Sequence, residues 1–335
     1  MPLVSIIMAC HNQERYVHDA ITSALGQTYT DFELIFVDDH STDKSLHFAN
    51  ILMGTDSRLH VFSSPCQLGA GAARNFAIKH ARGEWIAVLD ADDVFFKDKL
   101  EKQISAVHRH PNKESVVLVG SGVIHINSDG KRLSTYQYPT DSLKLKERLV
   151  RMQAFPAHSS LLYRSSVLRK VGGFNNIFLR AQDYDLWLRL CKEGDILCLN
   201  EPLMGYRLHN TNISNSKGKS GYSQFEYAVA ANVCDMLRQN NYQDPSSLGD
   251  PLVWDSFMAH VIAQIKMSGE LEYRDWKKSW SNLKFAKSGS RLKILMLFMR
   301  IIANPSNAWR LLKEHLVGTV LPRRCYLSWI DRIKN

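Results

Sequence analysis

Short apolar runs at regular spacing break up the first 130 residues, and this pattern narrows the fold more than any other feature of the chain. Val4–Ala9, Glu33–Val37, Leu59–Phe62 and Trp85–Leu89 read as strands. Between and after them, helical periodicity appears around Ala20–Leu25, Ser45–Leu52, Ala73–Ala81 and Lys99–Val107. The run Trp85-Ile86-Ala87-Val88-Leu89 has no polar residue, which predicts burial on both faces. The spacing therefore predicts an α/β fold with a mostly parallel sheet flanked by helices. Two more strands are expected at Val116–Val119 and Ser159–Tyr163. After Asn215 the pattern changes to long helical stretches, about Phe225–Arg238, Leu252–Met267, Trp276–Lys287, Leu292–Ile302 and Trp309–Leu316. The expected organisation is a sheet domain over residues 1–215 and a helical region over 216–335, with Ser214–Ser223 as a linker or a lid over a site.

In an open α/β sheet, ligands bind beyond the carboxyl ends of the strands. The second strand ends in Asp38-Asp39-His40-Ser41 and the fourth in Asp90-Ala91-Asp92-Asp93. Strand-end aspartates also cap helices, so either cluster alone has a structural explanation. Two clusters at one sheet edge are harder to account for, because crowded like charges are costly unless a cation neutralises them. Asp90 and Asp92 can present oxygens to a hard divalent ion that also meets substrate phosphates. Between the clusters, Gly69-Ala70-Gly71-Ala72-Ala73-Arg74 opens a helix, but Arg74 stands where a dinucleotide-binding fingerprint needs its third glycine. Arg74 either pairs with phosphate or with the aspartates, or is an ordinary surface helix residue.

Charge is distributed unevenly. The net +9 of the 335 residues comes wholly from the stretch after Trp276, where 13 Lys and Arg face only Glu314 and Asp331; the first 276 residues carry a net −2. Apolar and aromatic residues, among them Trp276, Trp280, Leu292, Phe298, Trp309 and Trp329, are interleaved with those basic residues. This composition suits helices lying on an anionic membrane surface, or alternatively packing on the sheet domain or within an oligomer. Clustered aromatics and a nucleic-acid reading motif are absent, so nucleic acid is not an expected partner. The longest apolar stretch, Leu292–Ala303, is interrupted by Lys293 and Arg300 and is too short to span a bilayer. The six cysteines are scattered, which points to a reducing cytoplasm rather than a disulfide framework. The N-terminal residues lack a basic n-region and read as a strand.

Val4-Ser5-Ile6-Ile7 leads to Asn12, and Asp31–Asp43 (DFELIFVDDHSTD), Gly71–Asn75 (GAARN) and Gly83–Asp93 (GEWIAVLDADD) follow. Val171–Phe174 (VGGF), Gln182–Leu190 (QDYDLWLRL) and Tyr206–His209 (YRLH) come later in the chain. Taken together, over about residues 3–214, these segments resemble a family 2 glycosyltransferase with the GT-A fold. The resemblance implies a Rossmann-like GT-A domain that transfers a sugar, with inversion, from a nucleotide diphosphate sugar to a hydroxyl acceptor. Asn12, Asp38, Asp39, Arg74, Asp90 and Asp92 would meet the donor, Asp39 and its neighbour Asp38 at the base and ribose. Asp90 and Asp92 match the DxD motif, with Asp92 nearest a Mg²⁺ or Mn²⁺ ion. His209 is a further metal or diphosphate ligand, or else a structural histidine. Asp183 matches the catalytic base; its alternative is a helix cap. His158 is either an acceptor contact or structural.

The chain departs from the family pattern in two places. Gln182 stands where Glu commonly precedes the base, and Ala9-Cys10-His11-Asn12 replaces the usual Pro-Thr-Tyr-Asn. The implied partners are a nucleotide sugar, a UDP-sugar first among them, a glycan or lipid-linked saccharide acceptor in cell-surface polysaccharide synthesis, and the anionic inner face of the cell membrane or a second copy of the chain. A catalytically silent GT-A subunit is the alternative. From the sheet and acids alone a nucleotidyltransferase also remains open, against which the Gln182–Leu190 segment favours sugar transfer.

Overall fold

The computed structural model describes residues 3–210 and 221–267. The chain divides after Ser246 into two compact units. Among the described residues the first contains nine strands: β1 (Val4–Cys10), β2 (Phe32–Asp38), β3 (Leu59–Ser63), β4 (Trp85–Val88), β5 (Val94–Phe95), β6 (Val116–Ile126), β7 (Arg132–Tyr136), β8 (Leu162–Arg164) and β9 (Asp195–Arg207). They form one sheet in the order β3-β2-β1-β4-β8-β6-β9-β5, with β7 paired on β6. Its helices are α1 (Val17–Leu25), α2 (Ser45–Met53), α3 (Ala70–His80), α4 (Lys99–Arg109), α5 (Ser142–Val150), α6 (Ser165–Lys170), α7 (Gln182–Leu190) and α8 (Gln224–Gln239). The described part of the second unit contains α9 (Pro251–Met267).

The four strands β3-β2-β1-β4 run parallel, as near-continuous apolar runs such as Trp85–Leu89 predict. β1 lies in the middle, and Val4, Ile6, Ile7 and Met8 are fully buried. Register determines where the acids emerge. Cys10 pairs with Asp38 and Ile7 with Val88, so the segments after β2 and β4 leave the sheet at the same edge. Gly83 is needed to start β4, since a Cβ there would lie 2.5 Å from the Ser5 amide nitrogen.

Beyond β4 the sheet becomes mixed: β8 is antiparallel to β4 and β6, β9 is parallel to β6, and β5 and β7 pair antiparallel at its margins. The strand expected at Ser159–Tyr163 is corrected here. His158–Ser160 form a 3₁₀ turn, and the strand begins at Leu162. The Ser160 amide donates to the Ala157 carbonyl at 2.8 Å, and the Leu161 amide to His158 at 3.1 Å. These bonds turn the chain before it can pair as a strand. The expected helices Phe225–Arg238 and Leu252–Met267 appear as α8 and α9. The helices expected from Trp276 onward, and with them the basic tail, lie outside the described residues. Among those described, no helix is long and apolar enough to cross a membrane.

Candidate active site

The carboxyl ends of the parallel strands open onto a cleft of about 320 Å³. Its walls are Ala9, the first turn of α3 with Arg74, the Asp90–Asp93 segment, His158, Tyr206 and the segment Asn176–Asp183. Arg74, Asp90, Asp92 and Asp183 thus meet in one place, although they are far apart in the chain.

Arg74 Nη2 donates to Asp90 Oδ1 at 2.6 Å. Burial would raise the Asp90 carboxyl, but the adjacent guanidinium holds it below its ordinary range. Asp92 has the opposite environment. Burial and the charge of Asp90 raise it, even though His209 Nε2 lies 2.9 Å from its Oδ2. Asp93, also buried, is raised well above the ordinary value by burial and by its two neighbours. Its Oδ2 accepts from Ser159 Oγ at 2.6 Å and its Oδ1 from the Arg207 amide at 2.9 Å. Arg207, only 3% exposed, also donates through Nε to the Asp92 carbonyl at 2.8 Å. Ser159, Asp93 and Arg207 therefore hold the acid-bearing segment in place. Asp93 and Arg207 occur in the DADD and YRLH segments, where local spacing gives no sign that they touch.

Asp183 sits in the first turn of α7 and lines the cleft. The preceding Ala181 adopts left-handed backbone (φ 52°, ψ 28°), a conformation costing a non-glycine residue about 1–2 kcal/mol. The turn starts α7 at the cleft wall. Asp183 Oδ1 accepts from the Tyr184 amide at 2.8 Å. Burial nevertheless raises its carboxyl above the ordinary value, which suits a group that must take up a proton. His158 Nδ1 lies 3.9 Å from Asp183 Oδ2, longer than a direct hydrogen bond. Burial, reinforced by the Arg74 charge, pushes the His158 imidazole down to about 3, so it is neutral at physiological pH.

Asn12, Asp38 and Asp39 cluster at the ends of β1 and β2 and do not themselves line the cleft. Asn12 Oδ1 accepts from the Thr42 amide at 2.8 Å. The two Asp39 oxygens accept from the amides of Leu68 and Gly69 at 2.6 and 2.9 Å, holding the loop that leads into α3. Asp38 Oδ2 accepts from the Ser41 amide at 3.1 Å, while Oδ1 is buried without a hydrogen-bond partner among the described residues. Gln182 lies beside Gly71, where a Cβ would come within 2.8 Å of its Oε1.

Among the described residues, no group of three or more His, Cys, Asp and Glu side chains could by itself hold a metal ion. The residues present still fit one cation. Asp92 is a largely buried acid, raised by burial and by Asp90, with His209 Nε2 at 2.9 Å, and a hard divalent ion commonly completes its shell with phosphate oxygens and water.

The family profile described as Glycosyl transferase family 2 matches residues 5–172. The chain is 33% identical over 226 residues to the Escherichia coli UDP-Glc:alpha-D-GlcNAc-diphosphoundecaprenol beta-1,3-glucosyltransferase WfgD, covering 67% of this chain and 84% of that one. Crystalline S. aureus TarS 1–349 in complex with UDP-GlcNAc superposes with a TM-score of 0.55 at 18% identity, over 78% of this chain and 72% of that one. The mannosyltransferase PcManGT of Pyrobaculum calidifontis, in complex with GDP-Man and Mn²⁺, superposes with a TM-score of 0.51 at 17% identity, over 92% and 88% of the two chains. The sheet is that of the GT-A glycosyltransferases, and with the sequence profile running from β1 past β8, the chain belongs to glycosyltransferase family 2.

Proposed function

We propose that this chain is an inverting glycosyltransferase. It moves a sugar from a nucleotide diphosphate donor to a hydroxyl of a glycan or lipid-linked saccharide during cell-surface polysaccharide synthesis. The observation that carries this reading is the convergence of Asp183, Asp92 and the Arg74–Asp90 pair on one cleft. Asp183 acts as general base: its carboxylate takes the acceptor hydroxyl proton while the oxygen attacks the anomeric carbon, opposite the departing nucleotide diphosphate. Its raised proton affinity favours that transfer. Asp92, with Asp90 and His209, would hold Mg²⁺ or Mn²⁺, which when bound supplies positive charge for the leaving diphosphate. Arg74 keeps Asp90 ionised and oriented. The first turn of α3, with amides pointing along the helix axis, favours the donor's negative charge. Asn12, Asp38 and Asp39 frame the base and ribose side, Asp39 by holding the Leu68–Gly69 backbone.

The donor is a UDP-sugar in the first instance, as the names of WfgD and the TarS complex suggest. WfgD's diphosphoundecaprenol acceptor supports a lipid-linked saccharide here. A cytoplasmic enzyme docked on the inner leaflet through its basic tail would meet such an acceptor. The test is a panel of nucleotide sugars with Mg²⁺, Mn²⁺ or chelator, read as nucleotide diphosphate release with and without lipid-diphosphate saccharides. Metal-dependent release with one donor, accelerated by an acceptor, is expected. Release from none would leave the silent GT-A subunit as the better reading. For the tail, co-sedimentation with anionic but not neutral vesicles, lost in a chain ending near Tyr273, is expected; equal binding by both forms would remove the membrane from the proposal.

A further inference from the structure

Asn75 has no part in the reaction just described, yet its side chain is tied to the cleft wall from behind. The amide pairs with the Phe174 backbone in both directions. Phe174 N–H donates to Oδ1 at 2.8 Å, and Nδ2 donates to the Phe174 carbonyl at 2.7 Å. Nδ2 also lies 3.2 Å from Asn176 Oδ1. This close approach requires glycine at position 173, where φ is +67° and a Cβ would stand 2.5 Å from Asn75 Oδ1. From the other side, Arg189 of α7 donates to the carbonyls of Val171 and Gly173 at 2.5 and 2.8 Å. The turn is thus clamped between α3 and α7.

The clamp places an aromatic ring. Phe174 is 3% exposed, and its ring stacks on His158 with centroids 5.5 Å apart and planes at 17°. The Arg74 guanidinium lies 5.6 Å from the same ring. Arg74 is the partner of Asp90, and His158 is the neighbour of Asp183. One ring therefore touches both the donor-side acids' cation and the imidazole beside the carboxylate of α7.

We infer that Asn75 is a positioning residue: by pairing with the Phe174 backbone it sets the ring as a shared wall between Arg74 and His158, and so sets the spacing of Asp90 from Asp183. The kinetic side of this inference rests on the transferase reading above, whereas the wall itself does not. Helix formation cannot be the reason for asparagine here, since Ala or Leu would favour α3 more. The geometry needs a donor and an acceptor on one short side chain: Asp lacks the donor and Leu lacks both.

The experiment uses the full chain with Asn75→Asp and Asn75→Leu, together with Phe174→Leu, which keeps the backbone pairing and removes the ring. Transfer is measured with the donor found in the panel, and the His158 imidazole is followed by NMR as pH is lowered. The groups facing that imidazole are Asp183 of α7, Arg74 of α3, Asp90 after β4 and Tyr163 of β8. Both Asn75 variants should lose about ten- to a hundred-fold in kcat, the scale of an ångström-level misplacement, with donor KM changed less than about threefold. In all three variants His158 should begin to protonate nearer its ordinary value, because water reaches the ring. A wild-type kcat in both Asn75 variants, a loss confined to donor KM, or a His158 titration unchanged in the variants that fold would each overturn the inference. If the wild-type chain turns over no donor, the transferase reading fails, and the His158 titration alone decides whether Asn75 sets the wall. If Asn75→Asp and Asn75→Leu do not fold, Asn75→Gln, which keeps the donor and the acceptor but on a longer arm, decides it through the same titration, a shift supporting the inference and an unchanged titration overturning it.

Discussion

Two aspartates on α7, Asp183 and Asp185, separated only by Tyr184, have opposite surroundings. Asp185 faces α8 and is fully buried. Arg189 holds its Oδ2 through Nε and Nη2 at 3.0 and 2.7 Å, and Arg238 of α8 reaches its Oδ1 at 3.2 Å. Arg238 in turn binds Asp244 at 2.6 Å, and Lys192 pairs with Asp235. Asp183 faces the cleft and has one backbone amide and a neutral imidazole as neighbours. The buried charge between α7 and α8 is neutralised within the chain. The acids of the cleft have Arg74 and His209 beside them, a shortage of cations that, on the proposed function, bound partners would make up.

The largest effect should come from exchanging the two acids. Asp185→Asn removes the buried carboxylate that Arg189 and Arg238 share, leaving Arg189 its bonds to the Val171 and Gly173 carbonyls and Arg238 its pair with Asp244, and a buried ion pair broken on one side costs up to about 3–5 kcal/mol. A melting temperature many degrees lower, with normal turnover in whatever remains folded, is expected from calorimetry and activity run in parallel. Asp183→Asn should do the reverse, lowering transfer by about 10² or more. A carboxyl whose affinity for protons is raised by folding weakens the fold at every pH above its ordinary value. The chain carrying Asp183→Asn should therefore melt at the same temperature at pH 7 or a few degrees higher. If both substitutions act mainly on stability, the contrast between the two sides of α7 fails.

Asp92→Ala tests the cleft from the metal side. Metal-dependent donor binding should be lost by calorimetric titration, while melting is little changed or improved, since the substitution removes one of three crowded acids. Donor affinity indifferent to this substitution and to chelator would show that the cleft acids need no cation.

The pH dependence gives a smaller and sharper measure. As the proposed general base Asp183 would have to be ionised to accept a proton, and burial raises its carboxyl, so kcat should fall on the acid side at a higher pH than an ordinary aspartate would give. Asp183→Asn should abolish that limb of the profile. The smallest effect is expected for Gln182→Glu, which restores the commoner family residue: less than about a threefold change in transfer, measured with saturating donor.

The same contrast explains how far the sequence could be read. β1, β2 and β4 are legible because they are near-continuous apolar runs buried on both faces, the half-buried β3 through its short Leu59–Phe62 run, and the two aspartate clusters because they stand at the ends of β2 and β4. Asp183 was legible through the resemblance of its segment. Residues 159–161 read as strand but lie outside it, because Ser159, at a position suited to a strand by composition, spends its hydroxyl on Asp93 across the sheet edge. β5 has only two residues and β7 is exposed along its length, so neither carries a periodic signal. β9 was missed because its sequence, DILCLNEPLMGYR, includes a proline and shows no regular alternation. The bonds from Arg207 to the Asp92–Asp93 segment and from Asn75 to Phe174 span about a hundred residues each, and nothing local announces them.

The ion pairs from α7 to α8 bear on how such a chain can be cut or recombined. A fragment ending near residue 215, where the motif resemblance stops, keeps every acid of the cleft. It gives up Arg238 and Asp244, and leaves Asp185 with Arg189 alone. It also gives up the Ser223–Glu226 capping box that opens α8. A junction after Ser246 severs none of these bonds. Chimeras that trade C-terminal regions should therefore express as folded protein when joined after Ser246 and be lost to proteolysis when joined near 215, and lineages that acquire new tails by recombination would be filtered by the same rule.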